Sequence, residues 1–291
     1  MIDSYQKAAF APKPSTVRGK KRNASVSAAI DSLLQARGRE SFETRTGFTV
    51  IGTRVERAIA TKSSCDIFEE SGAFQIRVHS TTDNQPQSLL AELTGGNGIP
   101  LAILPGFIGT VLVEEGRVKS IAYVPSRQTN KYRQYERVSE AVERRRAFIA
   151  VATQNGSFRM ERGPEALNGA KYLRELKGID PILGLYAVYA YAQAGDFEGV
   201  ESVYRYMSYE REPVLFDVAL LAGKLFAEND HPTSPFCPML TQGWALLTPY
   251  KKELPKIIKT VSRNLVPGLW TTFTPEAVKK LWSAIEKGKL V

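Results

Sequence analysis

The sequence predicts an α+β fold: an N-terminal antiparallel β sandwich or barrel followed by an α-hairpin (helical-repeat-like) domain. Two observations carry this. Between residues 41 and 126 apolar residues recur at period two, in short runs separated by turn residues; from 127 onward the period is helical. Within the helical part, AYAQAGDFEGVESVYRYM (190–207) has the grammar of a tight helix hairpin. Tyr191 closes one helix, Gly195 allows the turn and Asp196 can cap the next, where Phe197, Val200, Tyr204 and Met207 form one stripe at helical spacing.

Four parts follow in order. Residues 1–24 combine Pro12, Pro14, Gly19 and the run RGKKR with few apolar anchors, which predicts a disordered basic tail. Residues 25–40 hold a short helix, AAIDSLLQAR, with Ile30, Leu33 and Leu34 as its stripe and Gly38 as its stop. Residues 41–126 form the β domain. Its runs are FTVIGTRVERAIA, AFQIRVHST, SLLAEL, IPLAIL, GTVLVEE and RVKSIAYV. Between them lie the turn signals Ser71-Gly72, Asp83-Asn84, the glycines of 95–98, Pro105-Gly106 and the hairpin tip around Glu114, Glu115 and Gly116. Phe74, Ile76, Val78, Val111, Val113, Ile121 and Tyr123 are the expected core face. Gln75, Arg77, Thr110 and Ser120 are expected outside, with Leu112 as an apolar exception.

Residues 127–291 form the helical domain. One long helix is expected over 129–152, ended by Asn155-Gly156. A second opens at Pro164 and runs to Lys177, and a third opens at Pro181 and ends at Gly195. The segments FDVALLAGKLFAE, GWALLTPY, KIIKTVSRNLV and PEAVKKLWSAIEKG follow, with a proline-rich loop over 229–238. Helices opened by Pro or Asp and closed by Gly describe an α-hairpin array or a compact bundle.

The hydrophobic share of 43% is ordinary for a folded protein, and no window approaches the roughly 20 apolar residues of a membrane span. The N-terminal stretch has no apolar signal-peptide core, so the expected location is cytoplasmic. Cys65 and Cys237 are too few and too far apart for a disulfide framework. The net charge is +9. One basic cluster lies in residues 1–40 and a second between Arg127 and Arg146; such clusters attract nucleic acid, anionic membrane or acidic proteins. In the second, Lys131, Arg133, Arg137, Arg144, Arg145 and Arg146 are candidate contacts to phosphates or an acidic partner, with Tyr132 and Tyr135 interleaved. Glu136, Glu140 and Glu143 sit among them and support pairing along the helix.

Chemistry finds little support. His79 stands in an expected strand and His231 in the proline-rich loop, six residues before Cys237, with no further ligands at metal spacing. Cys237 sits between Phe236 and Pro238 with no glycine-rich oxyanion loop beside it. TGGNGIP (94–100) lacks the Lys-Ser/Thr and the helix that a phosphate cradle uses, and reads as a strand-to-strand loop. Glu69-Glu70 and Glu114-Glu115 read as solvated turn charges. The expectation is a protein with no catalytic, metal or cofactor site.

The hairpin resembles a tetratricopeptide unit: Tyr191, Gly195, Phe197 and Tyr204 fall where that family keeps an aromatic, a small residue and two further aromatics. Val200 replaces the usual alanine, the first half lacks the Leu-Gly pair, and no second copy follows. Over residues 98–290, LPGFIGTVLVEEGRVKSIAYVPSR, GLYAVYAYAQAG and FCPMLTQGWALL are similar to the non-catalytic C-terminal region that accompanies caspase-like and other proteases in bacteria. That resemblance implies a bacterial protein, a partner, regulator or substrate of a protease in a defence or cell-death pathway. No His/Cys motif is present, so no catalytic residue carries over. The reading is a non-enzymatic protein–protein interaction or regulatory subunit. As a substrate, its expected cleavage positions are Arg18, Lys20, Lys21 and Arg22, or Arg37 and Arg39, in exposed basic backbone. The alternative is a nucleic-acid-binding protein using the tail and the 127–146 helix.

Overall fold

The period-two runs become seven strands, and an eighth, Ser64–Glu70, lies between them. They are β1 (Gly47–Ile51), β2 (Val55–Ala60), β3 (Ser64–Glu70), β4 (Ala73–His79), β5 (Gln87–Leu93), β6 (Gly98–Ile103), β7 (Phe107–Glu114) and β8 (Arg117–Pro125). The structure is a computed structural model that describes residues 46–79, 87–160, 163–209, 214–226 and 233–290. The basic tail, the 25–40 helix, the Arg18–Arg22 and Arg37–Arg39 positions and His231 lie outside these residues.

The strands form a five-stranded sheet, β3-β4-β1-β7-β8, and a three-stranded sheet, β2-β5-β6. The expected all-antiparallel arrangement is corrected at one pair: β1 runs parallel to β7, with Val50 opposite Val111. After β4 the chain visits the other sheet through β5 and β6, and a strand returning from such an excursion is not bound to the antiparallel direction that a hairpin imposes. The run FTVIGTRVERAIA also divides. Gly52, at φ +83°, turns the chain out of one sheet and into the other, and a Cβ there would lie 1.9 Å from the Val113 carbonyl oxygen.

β3 was not expected as a strand. It is an edge strand with Ser64, Asp66 and Glu69 exposed, so it carries no continuous apolar signal. Ile76, Val78, Val111, Val113, Ile121 and Tyr123 are buried as expected, and Phe74 is half-buried. Gln75 is a correction: it is buried rather than outward, its amide donating to Glu70 at 2.9 Å. Tyr123 joins the two sheets, its hydroxyl donating to the Ala102 carbonyl at 2.7 Å.

The helical part contains α1 (Asn130–Ala152), α2 (Pro164–Arg174), α3 (Pro181–Ala194) and α4 (Phe197–Tyr209). The short pair β9 (Val214–Leu215) and β10 (Thr233–Ser234) brackets α5 (Phe216–Leu221). A 3-10 segment (Thr241–Tyr250), α6 (Lys256–Val261) and α7 (Pro275–Glu286) complete it. The whole is a mixed α+β protein. Three expected helices are shorter than their apolar runs. The second ends at Arg174, KIIKTVSRNLV is helical only to Val261, and FDVALLAGKLFAE stops at Leu221, with Gly223 and Phe226 both at positive φ. GWALLTPY is wound as 3-10, with Pro249 inside it.

α3 is the centre of the molecule. Every residue from Pro181 to Tyr191 is buried, which a helix apolar on all sides requires. It touches α1, α2, α4, α5 and β8. Its N-terminus is capped by Asp180 and opened by Pro181, and Gly195 closes it in the left-handed conformation. The core therefore continues past the expected 126/127 boundary: Leu101 and Val111 from the sheets join Leu183 and Val188 from α3 and Leu281 from α7. Residues 44–291 form one compact unit. The C-terminal stretch closes back on the strands. Phe273 exchanges backbone hydrogen bonds with Gly98 at 2.7 and 3.0 Å, and the Trp270 indole donates to the Lys119 carbonyl.

Candidate interaction surfaces

The six cations proposed on α1 separate into two groups. Tyr135, Val142, Arg145 and Ile149 form the buried face of the helix. Arg145 lies there because its guanidinium stacks 4.1 Å over the Tyr172 ring, donates to the carbonyls of Tyr172 and Ala141, and pairs with Glu175. Arg146 donates twice to Asp180, at 2.9 and 2.8 Å, and also to the Tyr123 carbonyl and to Glu143. Both were expected to face a partner; both are instead spent inside the fold. The run RRR shows its charge but not which arginines a neighbouring element will consume.

Arg144 is exposed but paired with Glu140 at 2.6 Å. The Lys131 ammonium lies 5.4 Å over the Phe107 ring. Arg133 and Arg137 remain, one helical turn apart and exposed, with no carboxylate partner among the described residues. They are the free cations of the original six.

Asp180 explains why Arg146 turns inward. It is fully buried, caps α3 by accepting from the Ile182 amide at 3.1 Å, accepts from the Tyr123 amide at 3.2 Å, and pairs with Arg146. One carboxylate thus ties β8, α1 and α3 together. A buried charge needs such partners, because water is no longer available to solvate it.

A second buried carboxylate, Asp217, accepts from the Tyr189 hydroxyl at 2.7 Å and from the amides of Met239 and Leu240. It pins α3 and α5 to the segment entering the 3-10 helix. Burial pushes its pKa up to about 6, against the opposing effect of those donors. Cys237 is fully buried nearby, and burial together with the Asp217 charge raises its thiol pKa well above the ordinary value. His79 is exposed and paired with Asp66 at 2.7 Å. Among the described residues no group of three or more His, Cys, Asp or Glu is placed to hold a metal ion, and no helix is long and apolar enough to cross a membrane.

The α3–α4 hairpin has the expected turn. Asp196 accepts from the Gly199 amide at 2.8 Å, capping α4. Tyr191, Val200, Tyr204 and Met207 are buried. Gly199 is required by close approach: a Cβ there would lie 2.4 Å from the Tyr191 ring. Phe197 is the correction, being 68% exposed. It is the first residue of α4, and helical side chains lean toward the N-terminus, so its ring projects past the helix end instead of onto α3. Tyr206 (55% exposed) lies under the Lys177 ammonium, and Tyr209 is 86% exposed. Three aromatic side chains of α4 are therefore exposed, Phe197 at its first residue and Tyr206 and Tyr209 in its last turn.

No protein-family model matches the chain, and neither a curated protein nor a solved structure matches it.

Proposed function

We propose that this chain is a non-enzymatic protein–protein interaction or regulatory subunit whose contact surface includes the exposed aromatic side chains of α4. The observation that carries the reading is the exposure of Phe197 and Tyr209, at the two ends of a helix whose Val200, Val203, Tyr204 and Met207 are buried. Aromatic rings in water are the side chains that interfaces most often bury at their centres. A β-sandwich followed by a tetratricopeptide-like hairpin is the finer architectural reading. The hairpin's capped turn and buried Tyr191 and Tyr204 support it; the enclosure of α3 by strands and helices distinguishes it from an open array. The resemblance of residues 98–290 to the region accompanying bacterial caspase-like proteases makes a protease the favoured partner.

The test is affinity capture with the full chain and with a Phe197→Ala/Tyr209→Ala variant, followed by incubation with a bacterial caspase-like protease. The reading expects a saturable protein partner lost by the double variant at unchanged melting temperature. Capture that is identical for both proteins would remove α4 as the contact surface.

A second reading, nucleic-acid binding, rests on Arg133 and Arg137, which are exposed and without a carboxylate partner among the described residues. With Arg145 and Arg146 spent on the fold, the α1 footprint is small. Its binding should weaken steeply with salt, by roughly one power of the salt concentration per phosphate neutralised.

A further inference from the structure

The chain's positive charge is concentrated at its two ends. Residues 1–40 hold eight Lys or Arg against three acidic residues, a net +5, and residues 251–291 hold nine Lys or Arg against three Glu, a net +6. Lys256, Lys259 and Arg263 recur at helical spacing while α6 turns Ile258 and Val261 into the core, and Lys252 lies in the turn before Pro255. All four are exposed, and the Lys259 ammonium donates to the Lys252 carbonyl at 3.4 Å, closing the row across the turn. On α7, packed against α6, Lys279 and Lys280 occupy the exposed face, with Lys287 and Lys289 beyond its end. None of the four cations in the row is paired with a carboxylate among the described residues.

The row adjoins exposed apolar surface. The 3-10 segment that precedes it leaves Leu246 41% exposed. Its last residue, Tyr250, packs against Phe226, which is 47% exposed, at 6.2 Å between ring centroids. Leu246 and Phe226 are two of six large hydrophobic side chains exposed among the described residues. Tyr250 stands two residues before Lys252, which puts the Phe226–Tyr250 pair at the start of the lysine row.

We propose that the strip from Leu246 to Arg263, with Phe226 beside it, is a peripheral docking surface for an anionic lipid bilayer. Lys252, Lys256, Lys259 and Arg263 meet the headgroup phosphates, and Leu246 and Phe226 enter the boundary between headgroups and acyl chains. Nucleic acid shares the phosphate chemistry but fits the strip less well. The row has one arginine among three lysines, and the exposed Leu246 is aliphatic, with neither a ring face to stack on bases nor a polar group for a phosphate backbone. This surface uses none of the α4 residues, so either assignment can fail without the other.

The experiment is co-sedimentation of the full chain with phosphatidylcholine vesicles, with and without about 30 mol% phosphatidylglycerol, a composition chosen to give a strongly negative surface. Binding is expected only to the anionic vesicles. Lys252→Gln/Lys256→Gln/Lys259→Gln should weaken it about a hundred-fold, since each lysine near such a surface contributes about five-fold. Leu246→Ser should weaken it several-fold, and that loss should persist at high salt. Thermal melts should be unchanged, because the lysines hold no ion pair to lose. No binding to anionic vesicles would overturn the proposal. So would vesicle binding untouched by the triple variant, which would assign it to another basic segment. Tighter binding of a single-stranded oligonucleotide, lost in the triple variant but kept in Leu246→Ser, would reassign the strip to nucleic acid.

Discussion

Two aromatic residues of one hairpin, six positions apart, have opposite roles. Tyr191 is buried against Gly199, whereas Phe197 is in water. Truncating Tyr191 to Ala should destabilise by about 3–5 kcal/mol, as for other buried aromatics. Phe197→Ala should leave stability within about 0.5 kcal/mol, as surface changes do. Equal losses in denaturant titrations of the two variants would contradict the assignment. Asp217 adds a pH dependence. Its folded pKa, about 6, lies above the unfolded value of 3.8, so between roughly pH 4 and 6 the folded state binds more protons than the unfolded one. This group therefore favours folding fully at pH below about 4 and loses that contribution as pH rises through about 6. Melting temperatures of the native chain, referenced to Asp217→Asn, should rise as pH falls from 7 to 4; a flat difference would show that the carboxylate does not titrate in that window.

At the scale of elements, α1 is as much a structural strut as a charged surface. Its two faces differ by what Asp180 and Tyr172 demand of it. Arg146→Met should destabilise by about 3–5 kcal/mol, because Asp180 would keep a buried charge without its cation. Arg133→Gln should be within about 0.5 kcal/mol of the parent. Comparable denaturation midpoints for the two variants would refute the division of the basic run. The elements legible in sequence were those with a strong local signal. Thr129 before α1, Pro181 and Gly195 around α3, and the β7–β8 hairpin around Glu114–Gly116 all fall where expected. β3 is illegible because none of its residues is buried and charged Asp66, Glu69 and Glu70 interrupt its few apolar side chains, and FDVALLAGKLFAE predicts a longer helix than forms because an apolar run does not say where helical geometry stops.

Across the whole molecule, the continuous core predicts one cooperative unfolding transition for the described part. Near-UV and far-UV circular dichroism should give coincident melts, and two resolved transitions would indicate strands and helices that fold separately. The charge distribution predicts that anionic surfaces, if bound, are bound through the C-terminal lysines more than through α1. Secondary-structure class, the order of strands before helices, the hairpin turn and the positions of most core residues were determined by the sequence alone, because period, caps and turn residues act over a few positions. Tertiary structure decided the rest: the parallel β1–β7 pair, the core shared by strands and helices, the inward arginines and the outward Phe197. Each depends on a partner distant in the chain, such as Asp180 for Arg146 or Val111 for Val50, and local propensity carries no information about which distant group will arrive.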